Sequence, residues 1–568
     1  MIHCGLSTKY YCTFNLANRD FANFLQDSPI VIAFPDRTAI ATNQHEMLTE
    51  LSNYASMKGD SYVTAWTHDI ENVLRRIMCD SYGEPIEREQ HGWTLHFAKK
   101  LRRMSYGRIS VRSIDSWVDT TVTELSESFC NGATDEMSQA ISYMRFAKAI
   151  DPICKTLGAP MTGSSGSTAL QIWRNKWSKR SFASLRFSGE TEDMDWCRRA
   201  FRGGRVEKLT KHSLVYNDIS AVPERLYRHS RKTDMKLYRI DMCSAYPYYM
   251  SGRLPFTGGK RGVHWSDDVM DIDNYDGIAE CWIEINTAGP RVLAVRIPNT
   301  RTGDMSTVFP LGGKAHGVWT YSVIREVLAN GGKLISVDRF RTFHYSSFIF
   351  KDFCHAIHRT KQHITNPVVK ASIGRMPTRL YGKTGSSRMR TMCDDRLPMM
   401  NALGDTAVSG FGIFGIANVE QTSYPYGSNP VLSAEISSRC HIGLGKMIHR
   451  IEAMGGLVIQ CHTDSIIFAS DRSLDEIGVV PSGAMGTWRQ DWTGDWVCCL
   501  GSQCVIMQGF RYSVSGIPKD ALGALIEYGE SSFKRNTSIM EQIKYGRKGT
   551  VDQTVRLSHG MDDRDDME

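Results

Sequence analysis

Two aspartates set the chemistry this chain can do. Residues 237–247 read LYRIDMCSAYP and residues 458–468 read VIQCHTDSIIF. In each, an apolar run of strand-forming residues delivers one carboxylate, Asp241 or Asp464, at or near its end. A single aspartate at a strand end is ordinarily a turn former. A pair, far apart in sequence and carried on adjacent strands, is a different object. It would hold two Mg²⁺ ions roughly 3.5–4 Å apart, with Mn²⁺ as a substitute, and leave one side open for the phosphates of a nucleotide. The main-chain carbonyl of Met242 is a further oxygen donor beside the first aspartate. Such a site serves in-line phosphoryl transfer.

Several elements are needed to position that pair and its substrate. Pro247 is expected to end the first strand. Residues 350–385 form a basic helical stretch carrying Lys351, Arg359, Lys361, Lys370, Arg375 and Arg379, charges suited to a triphosphate. Pro377 should disturb the helix within it. Phe201-Arg-Gly203-Gly204-Arg205 combines two glycines, which let backbone approach a partner closely, with flanking arginines. Residues 434–454 read as an amphipathic helix leading into the second aspartate. Between the aspartates lie strand-like runs at 278–285, 292–297 and 333–337 and a helix at 321–329. The Gly/Ser-rich run 161–168 reads as a linker.

Taken together and in order, the D-x-x-S-x-Y-P run at 241–247, the LYGK run at 380–383 and Thr463-Asp464-Ser465 resemble motifs A, B and C of family B DNA polymerases, most closely the protein-primed branch. The resemblance spans nearly the whole chain. It implies an α/β and α+β multidomain protein, a ribonuclease H-like N-terminal domain followed by a right-hand polymerase. The implied divisions are 1–175 exonuclease-like domain, 176–204 linker with the Phe-Arg-Gly-Gly element, 205–252 palm, 253–349 palm insertion, 350–385 fingers, 386–425 second insertion, 426–515 palm, and 516–568 thumb with an acidic tail. It also implies residue roles. Asp241 and Asp464 would be catalytic metal ligands with Met242. Ser244, Ala245, Tyr246, Lys370, Arg375 and Tyr381 would bind the nucleotide, Tyr246 excluding a 2′-hydroxyl. Phe201, Gly203, Gly204, Arg379, Gly382 and Thr463 would contact DNA. The implied partners are template and primer DNA, deoxynucleoside triphosphates and a terminal priming protein.

The departures from the family pattern are as informative as the matches. Motif B has Gly374 where the family has lysine, Thr378 for asparagine and Arg379 for serine; Arg375 and Lys370 lie near the missing lysine. Motif C has His462 for an aspartate, and the Lys-x-Tyr element falls on Gln503-Cys-Val505. The exonuclease motifs fall on Thr13 and Asn15, on Asp69, and on Tyr143 with Ala147, so one carboxylate of four remains and proofreading is expected to be lost; Asp151 lies one helical turn beyond Ala147. A second reading therefore stands beside the polymerase, a non-catalytic DNA-binding relative, and a third makes the N-terminal fold a nuclease.

Composition bounds these readings. With 568 residues, 41% hydrophobic and 23% charged, the chain can bury several cores. No apolar run approaches a membrane span and the N-terminus has no signal-peptide pattern, which predicts a soluble intracellular protein. Fifteen cysteines without a Cys-x-x-Cys pair predict reduced thiols. Net charge is +7, and Met561 to Glu568 carries −4 of it, leaving +11 on the rest for an anionic partner.

Overall fold

The computed structural model describes residues 2–7, 30–42, 44–58, 63–67, 93–98, 100–106, 109–118, 121–133, 135–178, 191–212, 214–218, 230–255, 265–298, 305–386, 388–389, 392–393, 407–411, 416–420, 422–423, 427–501, 504–509, 511–514, 530–536 and 550–556. The expected exonuclease positions Thr13, Asn15 and Asp69, together with Gln503 and the acidic tail, lie outside those residues. So does most of the stretch 516–568 expected as a thumb, where the described part is a hairpin of Glu530–Asn536 with Thr550–Arg556.

Mixed α/β architecture holds throughout. The seven-stranded N-terminal sheet has Val63–Thr67 at its centre, parallel to Ile2–Ser7 on one side and to Ile109–Ser113 on the other, and Ile2–Ser7 runs antiparallel to Ile30–Ala33. Apolar strands such as Ile30–Ala33 are buried along their whole length because the helix Glu136–Leu157 covers one face. Val31, Ala33, Ala140 and Met144 interlock there.

The stretch 161–168 is no linker. Helix Ser165–Lys176 begins inside it, capped by the Ser164 hydroxyl accepting from the Ser167 N–H, and Ser165, Gly166 and Thr168 are buried. Small residues are needed for close packing rather than for flexibility: a Cβ on Gly166 would lie 3.0 Å from the Arg379 carbonyl. Trp173 at the other end donates its indole N–H to the Ile349 carbonyl at 3.0 Å. One apolar core accordingly runs from Trp66 and Tyr143 through Trp173 and Phe350 to Tyr246 and Tyr381.

Asp241 lies in, and Asp464 at a hairpin turn of, a five-stranded sheet ordered Trp488–Gly494, Lys236–Met242, Ser465–Ser470, Leu457–His462, Val206–Lys208, antiparallel at every step. Ile240, Ile466 and Phe468 on one face meet Leu444, Ile448 and Ile451 of the helix Pro430–Ala453, four residues longer at its start than its periodicity predicts and capped by Asn429. Pro247 does not end the strand. The strand stops at Met242, and Pro247 sits in the first turn of the helix Ala245–Met250, where a proline's missing N–H is an orphan anyway.

Residues 265–343 form a separate sheet, ordered Trp265–Ser266, Lys333–Phe343, Asp276–Ile285, Gly313–Thr320, with the helix Tyr321–Ala329 packed on it. The strand expected at 292–297 begins only at Val295, since Val292–Ala294 is a buried loop. The basic stretch folds as three helices, Lys351–Gln362, Pro367–Gly374 and Met376–Thr384, broken at Arg375 with Pro377 just inside the third, as the sequence leads one to expect.

Candidate active site

Asp241 is the register partner of Ser465 across the antiparallel ladder, which sets their Cα atoms roughly 4.5–5.5 Å apart. Asp464 stands next to Ser465 in a tight turn, and its carbonyl accepts the Met242 N–H at 2.9 Å. The two aspartates thus come to the same end of the sheet from 223 positions apart. Burial first, and the negative charge of Asp241 second, push the Asp464 carboxyl up to about 7. Burial also raises Asp241, against the opposing charge of Arg489, whose Nη2 lies 3.5 Å from Oδ2.

Backbone conformation is unusual at both turns. Among the described residues three non-glycine residues have positive φ, and two of them are Ser244 (53°) and Thr463 (60°). L residues enter that region at a cost, and such positions gather at functional sites. The surroundings hold the hairpin in place. The Thr463 N–H donates to the Arg205 carbonyl at 2.6 Å, and a Cβ on Gly204 would come 3.0 Å from the Thr463 side chain. Arg205 is itself buried, paired with Glu207 at 2.6 Å, donating to the Arg291 carbonyl and stacked over Phe309. His441, pushed down to about 4 by burial, hydrogen-bonds the Gly203 carbonyl at 2.8 Å.

Aromatic rings join motif A, motif B and the Phe-Arg-Gly-Gly element. Tyr246 is 8% exposed and lies 4.8 Å from Tyr381, ring centre to ring centre; Tyr381 meets Phe201 edge-on at 5.8 Å. The helix carrying Tyr381 is fixed to the long helix by a Thr384–Ser433 hydroxyl pair at 2.8 Å.

Lys361 is the cation that reaches the Asp241 turn, its Nζ donating to Ser244 Oγ at 3.1 Å. Burial lowers its pKa, and the charges of Arg489 and Lys370 lower it further. Among the described residues no cluster of three or more His, Cys, Asp or Glu could hold a metal alone. Two like-charged carboxylates forced together, with hard oxygen donors only, nevertheless fit Mg²⁺, which takes few protein ligands and completes its shell with phosphate and water.

The fold recurs in solved structures. Phi29 DNA polymerase in its orthorhombic crystal form superposes with a TM-score of 0.68 at 14% identity, over 98% of this chain and 100% of that one. The chain has the phi29 DNA polymerase fold. Phi29 DNA polymerase complexed with primer-template DNA and incoming nucleotide matches at 0.66 and 13% identity, and its complex with single-stranded DNA at 0.66 and 14%. These cover 98% of this chain and 100% and 99% of theirs. The likeness to the protein-primed family B group expected from the motifs is thus borne out in structure. No protein-family model matches the sequence, and no curated protein does.

Within that fold the expected site residues divide. Asp241, Met242, Ser244, Ala245, Tyr246, Tyr381, Phe201, Gly204 and Thr463 are brought together. Lys370, Arg379 and Gly382 are exposed on the helices, and Arg375 is half-buried at the break between two of them. A Cβ on Gly203 or Gly382 would meet nothing within 4 Å, so neither glycine is required by internal packing. Two contributors escape sequence reasoning. Lys361 is one basic residue among many until Ser244 is placed beside it. Arg489 comes to Asp241 only through strand pairing, as its register partner on the opposite side from Ser465.

Proposed function

We infer that the protein is a template-directed DNA polymerase, adding deoxynucleotides to a primer by two-metal phosphoryl transfer. The carrying observation is the junction at the Met242–Asp464 hydrogen bond, which sets two half-buried carboxylates beside a lysine-bearing helix. The primer hydroxyl attacks the α-phosphate, a new P–O bond forms, and the bond to pyrophosphate breaks. Mg²⁺ bound by Asp241, Asp464 and the Met242 carbonyl would neutralise charge on the attacking and leaving oxygens. Lys361 and Lys370 hold the triphosphate. The Tyr246 ring, fixed against Tyr381, floors the sugar and leaves no room for a 2′-hydroxyl. Gly203 and Gly382 leave open surface for the DNA backbone, while the exposed Arg379 supplies charge.

The same reading makes the N-terminal sheet ribonuclease H-like, supported by its three antiparallel strands followed by two parallel ones. Proofreading is absent from it. Thr13, Asn15 and Ala147 stand where carboxylates are expected, and Ala147 is buried in the core. Asp151 is committed to structure, accepting the Met161 N–H at 2.8 Å and pairing with Lys155. Priming by a terminal protein, in replication of a linear viral or plasmid genome, belongs to this proposal. The separate sheet at 265–343, between the Asp241 strand and the basic helices, is the surface we assign to that partner. Among the described residues no helix is long and apolar enough to cross a membrane.

The test is incorporation of a labelled deoxynucleotide on a primed template with Mg²⁺ or Mn²⁺. Template-dependent extension is expected. DNA binding without extension would replace the polymerase with a non-catalytic DNA-binding relative.

A further inference from the structure

Two cations approach the Asp241 turn, and they do not both come from the helices. Lys361 does. Where the motif B pattern has a lysine, this chain has Gly374, and a Cβ there would already lie 3.3 Å from Lys361 Cδ. Lys361 therefore passes over a position that carries no side chain of its own.

Arg489 arrives from the other wall. It is the second residue of the strand Trp488–Gly494 and the register partner of Asp241, so the two side chains leave the sheet on one face. Its side chain is 52% exposed, and its one hydrogen bond among the described residues is the 3.5 Å contact to Asp241. A single, long, half-exposed contact is a weak ion pair and uses few of the five guanidinium donors.

The approach to Arg489 is firmly built. Cys243 donates its N–H to the Thr487 carbonyl at 2.9 Å and accepts the Gly486 N–H at 2.8 Å. The next residue, Ser244, holds Lys361. Met485 of the same loop lines one small cleft with Ser244, His358, Lys361 and Gly374. Lys361 reaches Ser244 and Arg489 reaches Asp241, three residues away on the same turn. Two cations on one turn, each with donors to spare, call for an anion.

The geometry points to Arg489 as a ligand of the incoming nucleotide's triphosphate, supplying from the strand side the charge that the helices lack at Gly374. A guanidinium suits this place because its planar fork matches two phosphate oxygens at once. The assignment rests on the polymerase reading of the site, and its test is separable from the test of that reading.

Equilibrium binding of dATP and of inorganic tripolyphosphate to the full chain, without divalent cation, is followed by tryptophan fluorescence. It is compared among wild type, Arg489→Ala, Arg489→Lys, Asp241→Asn and the Asp241→Asn/Arg489→Ala double variant. Arg489→Ala is expected to weaken both ligands on the order of tenfold or more, with Arg489→Lys recovering part of the loss. The loss should persist in the Asp241→Asn background, where Arg489 no longer has a carboxylate to restrain. Unchanged affinity in Arg489→Ala, or a loss that vanishes when Asp241 is neutral, would overturn the assignment and leave Arg489 as the partner of Asp241 alone. Wild-type extension, measured alongside, reports on the polymerase reading whichever result is obtained.

Discussion

The Met242 N–H donates to the Asp464 carbonyl at 2.9 Å, and this one bond locks the end of one aspartate-bearing strand to the turn that carries the other aspartate. Positions of the carboxylates are therefore set by sheet register, a rigid constraint, rather than by side-chain contacts. Rigid placement is what charge stabilisation in a transition state requires.

Lys361 supplies a charge-assisted contact beside that junction. Lys361→Ala should raise the KM for deoxynucleotides on the order of tenfold or more, with a smaller change in kcat. Steady-state kinetics on a primed template measures this. An unaltered KM would remove Lys361 from the nucleotide site.

Tyr246 packs against Tyr381 at 4.8 Å between ring centres, the rings tilted by 41°. Tyr246→Ala should relax discrimination against ribonucleotides by at least roughly tenfold, read as the ratio of kcat/KM values. The same ratio in wild type and variant would mean that the sugar is not sensed there.

Gly204 abuts the Thr463 side chain. Gly204→Ala brings a methyl to 3.0 Å from it and should displace the hairpin by a few tenths of an ångström. A fall in kcat of roughly ten- to a hundredfold is expected, partly reversed by Thr463→Ser, which removes a methyl from the contact. Full activity in Gly204→Ala would show that hairpin position is not critical.

The carboxylate pair should be visible in pH dependence. Asp464 loses its proton at about pH 7 in the folded chain, whereas an unfolded aspartate does so at about 3.9. Between those values the folded state holds the extra proton, so this group makes the fold less stable as pH rises from about 4 to 7. Bound Mg²⁺ should counter that loss. At limiting Mg²⁺, extension should rise with pH through about 7, and added Mg²⁺ should move the midpoint lower. Thermal midpoints of wild type and Asp464→Asn, with and without Mg²⁺, provide the check; parallel pH curves for the two would contradict the assignment.

Motifs A and C were legible in the sequence because each is local, an apolar strand ending in one carboxylate and a turn. The helices at 321–329 and 351–384 were legible by periodicity and charge. Arg489 was not, since its relation to Asp241 depends on pairing strands about 250 residues apart. The misreading of residues 161–168 has a physical origin too. Serine and glycine are common to flexible linkers and to helix starts that must approach another backbone closely, and only Arg379 shows which applies here. Pro247 misled for a related reason: it is excluded from strand interiors and from most of a helix, but tolerated in a first turn.

The most direct measurement is single-nucleotide extension by Asp241→Asn and Asp464→Asn beside primer-template binding by the same proteins. Extension should fall at least roughly a hundredfold in each while DNA affinity is retained. Extension at wild-type rate in both variants would contradict the assignment of the reaction to this carboxylate pair.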